Sequence, residues 1–243
     1  MSEQIISFKN VSKTYTLYKD DKARFKALFF KPKNAKVNKA LNDVSLSINR
    51  GESVGIVGDN GAGKSTILKM ITGVAFPDSG EITVNGKVAA LLELTAGFSM
   101  EMTGRENIYL KGYILGLEDS YIKTIEDDII EFAELGDYID QPVRTYSSGM
   151  KMRLGFAINV NIHPDVLVVD EALAVGDATF KNKCKNKIKE IINSGVTVLY
   201  VSHSANSVKE ICQRAIFLKK GSVVFDGPTA ETLKIYEESK KKK

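Results

Sequence analysis

The sequence predicts an α/β protein with a parallel sheet at its centre, an antiparallel β region towards the amino terminus and a helical region inserted before the last strands of the sheet. The expectation rests on a glycine-rich turn that joins an apolar strand to a helix. It rests also on two later apolar runs ending in polar residues, and on a stretch of helical periodicity lying between these features.

The chain has 243 residues, 43% of them hydrophobic, enough for one large domain or two small ones, so disorder is not expected. A net charge of +4 does not by itself argue for nucleic acid. Cys184 and Cys212 have neither metal-ligand spacing nor a disulfide framework. No basic leader opens the sequence, and no apolar stretch approaches the roughly 18 residues of a membrane helix, which predicts a cytosolic chain whose membrane role needs a partner.

Ile5, Ile6, Phe8 and Val11 give residues 5–11 strand character, and Leu41, Val44, Leu46 and Ile48 alternate imperfectly with polar residues. Between these strands lies a basic-aromatic insert, about residues 19–39. The central turn then runs from Val54-Gly55-Ile56-Val57 through Gly58-Asp59-Asn60-Gly61-Ala62-Gly63-Lys64-Ser65-Thr66 into Ile67-Leu68. This G-x-x-x-x-G-K-[ST] pattern between strand and helix is a phosphate-binding loop, whose backbone N–H groups point into one concavity at the positive end of a helix. Lys64 is expected to reach the β- and γ-phosphates of a nucleotide and Ser65 to ligate Mg²⁺. Glu81 to Val88 reads as a hairpin with Asn85-Gly86 at its tip. Thr103 and Glu106 have capping-box spacing ahead of a long amphipathic stretch, residues 121–135, so a helical subdomain is expected over about 95–141.

Val166-Leu167-Val168-Val169 ends in Asp170-Glu171, and the run from Val196 to Val201 ends in Ser202-His203. Both read as buried parallel strands, with ligand sites at their carboxyl ends. Asp170 can hold the Mg²⁺ that bridges two phosphates, and Glu171 is placed as general base for an attacking water. An acidic helix cap beside a strand is the plainer alternative for this pair.

The loop 58–66, the Tyr146-Ser147-Ser148-Gly149-Met150 stretch, the strand ending in Asp170-Glu171 and the isolated His203 follow the order seen in ABC-transporter ATPases, which the chain resembles over roughly residues 5–229. The resemblance implies a single ABC ATPase domain, a P-loop NTPase with a RecA-like core, and ATP with Mg²⁺ as its ligands. It implies that Ser147, Ser148 and Gly149 open a helix that caps the γ-phosphate of a nucleotide held by a second copy. The stretch usually reads Leu-Ser-Gly-Gly-Gln in that family, and Ser148 and Met150 depart from it. His203 is implied to contact the γ-phosphate, and Asp177 to be the acid of a loop coupling the two sites. Tyr15 is implied to stack on adenine, with Tyr18 or simple packing as alternatives. Glu93 aligns where most of the family has glutamine, in the loop linking metal site and membrane partner.

Glu93, residues 102–108 and the 146–150 stretch together resemble the branch that exports surface polysaccharides: O-antigens, capsules and teichoic acids. A homodimer on two membrane permease subunits is then expected, peripheral on the cytoplasmic face of the inner membrane, handling a lipid-linked glycan through the permease and no nucleic acid. An added carboxy-terminal sugar-binding domain is not expected. A soluble ABC ATPase in translation or repair, a transporter of another substrate, and a non-hydrolysing regulator stay open, and Glu171 and His203 speak against the last. In the insert, Phe25, Leu28 and Phe29 recur at helical spacing from Asp20 to Phe30 beside Lys22, Arg24 and Lys26. A basic amphipathic helix at the membrane surface is one reading, and a solvated loop the other.

Overall fold

The computed structural model describes residues 3–18, 20–27, 36–92, 94–170, 177–202 and 204–241, without the side chains at 23, 24, 26 and 36. In chain order the elements are β1 (Gln4–Leu17), α1 (Asp21–Lys26), β2 (Lys36–Asn49), β3 (Ser53–Val57), α2 (Lys64–Ile71), β4 (Ser79–Val84), β5 (Val88–Ala90), α3 (Gly104–Ile114) and α4 (Asp119–Ala133). Two 3-10 turns, Gly136–Asp140 and Val143–Thr145, lead to α5 (Ser148–Asn161), β6 (Val166–Asp170), α6 (Ala178–Asn193), β7 (Thr197–Val201), α7 (Ala205–Ile211), β8 (Arg214–Lys219), β9 (Ser222–Pro228) and α8 (Thr229–Lys241).

A six-stranded sheet in the order β5-β6-β7-β3-β8-β9 is parallel except for β9, which closes one edge antiparallel to β8. The apolar runs read as buried strands are β6 and β7, which pair in parallel from Val166 opposite Thr197 to Asp170 opposite Val201. Because side chains alternate along a strand, each run feeds two cores. Val54, Val168, Leu199 and Ile216 face α2 and a three-stranded antiparallel sheet, β2-β1-β4. Val57, Leu167, Val198 and Phe217 face the other way, towards α5, α6, α7 and α8. Each fully buried aliphatic chain contributes about 1.5–3 kcal/mol relative to exposure, so both cores fix the register of the central strands.

Within the stretch read as a helical subdomain lie α3 and α4, and the Thr103–Glu106 capping box forms in both directions. α5 is buried on all sides from Leu154 to Asn161, mostly with apolar residues, and lies between that subdomain and the sheet. Its two buried amides are satisfied within the helix, Asn159 to the Gly155 carbonyl and Asn161 to the Ala157 carbonyl.

The hairpin expected over 81–88 does not form. β4 pairs with β1 in the antiparallel sheet, whereas β5 pairs in parallel with β6 in the other sheet. Asn85-Gly86 is the crossing between sheets. Gly86 has φ 117° there, and a β-carbon on it would lie 2.6 Å from the Asp165 side chain, whose carboxylate also accepts the Lys87 N–H. The glycine serves that close approach and not a hairpin tip.

β1 and β2 run well past the predicted 5–11 and 41–48, pairing out to Leu17 opposite Lys36. In the insert, α1 covers Asp21–Lys26 of the helix read from Asp20 to Phe30, with Phe25 65% exposed. Leu28, Phe29 and Phe30 lie outside the described residues.

Candidate nucleotide-binding site

The glycine-rich turn leaves the carboxyl end of β3, and the β8–β9 turn and β2 pack closely against it. The Gly221 N–H, from the β8–β9 turn, donates to the Ala62 carbonyl at 3.0 Å. Gly63 caps α2 with φ 108°, and a β-carbon on it would sit 2.6 Å from the Ala40 carbonyl of β2. Thr66 and Ile67 N–H groups both turn back to the Gly63 carbonyl, so the helix begins immediately beyond the concavity.

Lys64 is 7% exposed, and its Nζ donates to the carbonyls of Gly58 at 2.6 Å and Asp59 at 3.1 Å. Burial lowers its pKa, while the charges of Asp170 and Asp59 oppose that shift. A buried ammonium held by neutral carbonyls is poised to exchange them for phosphate oxygens, whose negative charge adds a Coulomb attraction that a carbonyl lacks.

A cleft of about 220 Å³ opens over the loop. Asn60, Gly61, Ala62, Gly63, Lys64, Ser65 and Thr66 line it, with Asp170 and Val201 from the ends of β6 and β7 and Tyr15 from β1. The parallel strands thus deliver their carboxyl ends to one place, as open α/β sheets do. Gly58 begins the loop and does not line the cleft, and its carbonyl holds Lys64 Nζ. Tyr15 is 37% exposed, with Lys13 Nζ 5.6 Å from its ring centroid. Tyr18 stands apart from this cleft, in a shallow depression with Leu17 and Asp21. Ser65 and Asp170 supply the hard oxygen donors that suit Mg²⁺, which ordinarily takes few protein ligands and completes its shell with phosphates and water. Among the described residues no cluster of three His, Cys, Asp or Glu side chains could hold a metal alone.

Ser147, Ser148 and Gly149 do not line this cleft. Ser147 is the N-cap of α5, accepting the Met150 N–H at 3.2 Å, and Ser147 and Ser148 are exposed. Asp177 also stands apart. It caps α6 through the Phe180 N–H at 2.9 Å, which with Arg153 keeps its carboxyl below the usual range. Arg153 of α5 bonds Asp177 at 2.8 Å, approaches Glu134 at 3.5 Å and lies over the Phe180 ring. Glu93, Glu171 and His203 lie outside the described residues.

Sequence reasoning passed over Asn38 and Ala40, which line the cleft from β2. The signal was faint, since Lys36 and Lys39 disguise the start of that strand, yet Asn38 pairs directly with Tyr15. Ser202 was also passed over as a positioning group. It is buried, and its hydroxyl accepts the Ser204 N–H at 2.9 Å, bracing the backbone on either side of position 203.

The sequence profile of the ABC transporter family matches residues 41–174, from within β2 to past the end of β6. The chain belongs to the ABC transporter family. Among its ABC relatives, the O-antigen export system ATP-binding protein RfbB of Klebsiella pneumoniae is 43% identical over 98% of this chain and 99% of its own length. The teichoic acids export ATP-binding protein TagH of Bacillus anthracis is 46% identical over 98% of this chain, which spans only 43% of that longer relative. A solved ATP-binding subunit of an ABC transporter shares the fold, with a TM-score of 0.76 at 21% identity, covering 96% of this chain and 93% of its own.

Proposed function

We propose that this chain is the ATP-hydrolysing subunit of an ABC exporter that moves a lipid-linked surface polysaccharide across the cytoplasmic membrane. The observation that carries the reading is end-to-end similarity to an O-antigen export ATP-binding protein, in a chain whose phosphate loop, Asp170 and Tyr15 share one cleft. Among the described residues no helix is long and apolar enough to cross a membrane, so the pathway for the glycan needs permease subunits, with this chain peripheral on their cytoplasmic side.

In this reading Tyr15 stacks on the base, the loop N–H groups and Lys64 bind the phosphates, and Ser65 and Asp170 hold Mg²⁺. The bound metal neutralises the charge that develops on the phosphoryl oxygens. Glu171 takes the proton of the attacking water and His203 orients the γ-phosphate. Glu93 relays the state of the metal site towards the permease. The exposed α5 amino end presents Ser147 and Gly149, with Ser148 between them, to the nucleotide of a second copy, since on its own chain it does not reach the cleft. Asp177, fixed through Arg153 to α5, couples the two sites of that homodimer.

Replacing the base tests this assignment. Glu171→Gln should keep ATP binding, accumulate an ATP-bound dimer and nearly abolish turnover, because the phosphate cradle is untouched. Hydrolysis at the parent rate would remove Glu171 from the role.

A further inference from the structure

The exposed start of α5 is held from beneath by a buried side chain, Tyr146, one residue before Ser147. Tyr146 is 5% exposed, and its hydroxyl donates to the Tyr138 carbonyl at 2.5 Å. The two rings meet edge to face with centroids 6.4 Å apart. Burial raises the Tyr146 phenol pKa, so at neutral pH it stays protonated and remains a donor.

Gly104, the first residue of α3, forms the floor of this pocket. A β-carbon there would overlap the Tyr146 hydroxyl and lie 3.0 Å from Ile139 Cδ1 and the Ile139 carbonyl. The segment leading into Tyr146 is zipped to the segment leading into α3. Gly104 N–H donates to the Gln141 carbonyl at 3.3 Å, Val143 N–H to Met102 at 2.9 Å and Arg144 N–H to Met100 at 2.8 Å. The turn that supplies the Tyr138 carbonyl is itself anchored. Arg105 bonds Asp140 through Nε at 2.7 Å and reaches Glu126 of α4 through Nη1.

The contacts run in one unbroken line, from Glu126 through Arg105 and Asp140 to the turn, and from Tyr138 through Tyr146 to the N-cap of α5. We infer that Tyr146, seated in a pocket that only glycine at 104 leaves open, is a positioning residue that sets the height and angle of Ser147–Gly149 relative to the helical subdomain. The inference rests on the reading that Ser147 and Gly149 act on the nucleotide of a second copy. Tyr146 is buried and does not line the cleft of its own chain, so its loss should displace the donors without altering the phosphate loop. Misplacement of a positioning group by about 1 Å can cost on the order of 100-fold in rate.

The test compares Tyr146→Phe, Gly104→Ala, the double variant and Ser147→Arg in the full chain. ATP affinity, kcat, KM, ATP-driven dimerisation and thermal midpoint are measured for each. Tyr146→Phe should bind ATP within about twofold of the parent while kcat falls roughly 10-fold, because only transition-state placement is lost. Gly104→Ala should lose about 100-fold, and adding Tyr146→Phe should restore part of that loss, since removing the hydroxyl relieves the overlap; such non-additivity marks direct coupling. Should Gly104→Ala fail to fold, Tyr146→Phe alone carries the test. The inference is overturned if Ser147→Arg abolishes hydrolysis while Tyr146→Phe keeps the parent kcat, or if kcat and ATP affinity fall together with the thermal midpoint. Parent activity in Ser147→Arg would instead overturn the two-copy reading beneath it.

Discussion

Lys64→Met separates the binding role of the loop lysine from its structural one, because methionine keeps the length and apolar stem while removing the charge. In the protein without nucleotide, the substitution loses two charge-assisted bonds, to the Gly58 carbonyl at 2.6 Å and the Asp59 carbonyl at 3.1 Å. Such bonds contribute roughly 1.5–3 kcal/mol each. The same substitution removes a 7% exposed ammonium, whose burial costs several kcal/mol. The two effects oppose each other, so unfolding free energy should move by no more than about 2 kcal/mol. For the nucleotide there is no such cancellation. Truncating one partner of a buried charge pair costs about 2–5 kcal/mol, or roughly 30-fold to several thousand-fold in Kd. Calorimetric titration with Mg-ATP, alongside urea unfolding, measures both quantities on one preparation. Binding within about threefold of the parent, in a variant that unfolds normally, would refute the assignment of Lys64 to the phosphates.

Gly86→Ala should destabilise the chain by on the order of 2 kcal/mol or more, since it forces a β-carbon onto Asp165 at positive φ; an unchanged urea midpoint would mean that the crossing relaxes freely. Glu210 lies between Lys185 Nζ at 2.6 Å and Lys189 Nζ at 2.7 Å, and their hydrogen bonds draw its pKa from 4.5 down to about 2. A carboxyl with a depressed folded pKa contributes stability that is present above its unfolded pKa and lost as pH falls through the folded one. The thermal midpoints of parent and Glu210→Gln should therefore converge between pH 4.5 and about 2, and a constant gap across that window would contradict the ion-pair account. Replacing Lys22, Arg24 and Lys26 together with glutamine should lower glycan export and leave hydrolysis by the isolated chain unchanged, because each cation near an anionic surface contributes about 1 kcal/mol. Export at the parent level in that triple variant would leave the insert without a membrane-facing role.

The central strands were legible because parallel strands covered on both faces are written as unbroken apolar runs, and 166–169 and 198–201 are such runs. The turn after β3 was legible because the G-x-x-x-x-G-K-[ST] pattern fixes its two glycines, its lysine and its hydroxyl residue. β5 was not, since three residues following Asn85-Gly86 carry the local signature of a hairpin, and only the distant Asp165 shows why glycine stands there. Nor was the outer half of β2, whose exposed residues answer to the Tyr15–Asn38 pairing and not to a core. Arg153 and Tyr146 drew no notice as linkers, because a lone arginine on a helix and a lone aromatic before a cap have no local pattern. Their partners, Glu134 with Asp177 and Tyr138 with Gly104, are supplied by the tertiary fold.

Whether each hydrolytic site is built from two chains can be read from a mixing experiment with Lys64→Ala and Ser147→Arg. Each variant alone disables both sites of its own dimer. In the mixed dimer, the intact loop of the Ser147→Arg chain faces the intact α5 amino end of the Lys64→Ala chain, so one complete site is regenerated. ATP hydrolysis by the mixture should rise well above the sum of the separate variants and pass through a maximum near equal proportions. A mixture that hydrolyses no faster than that sum, with mixed dimers demonstrated to form, would contradict the two-chain site.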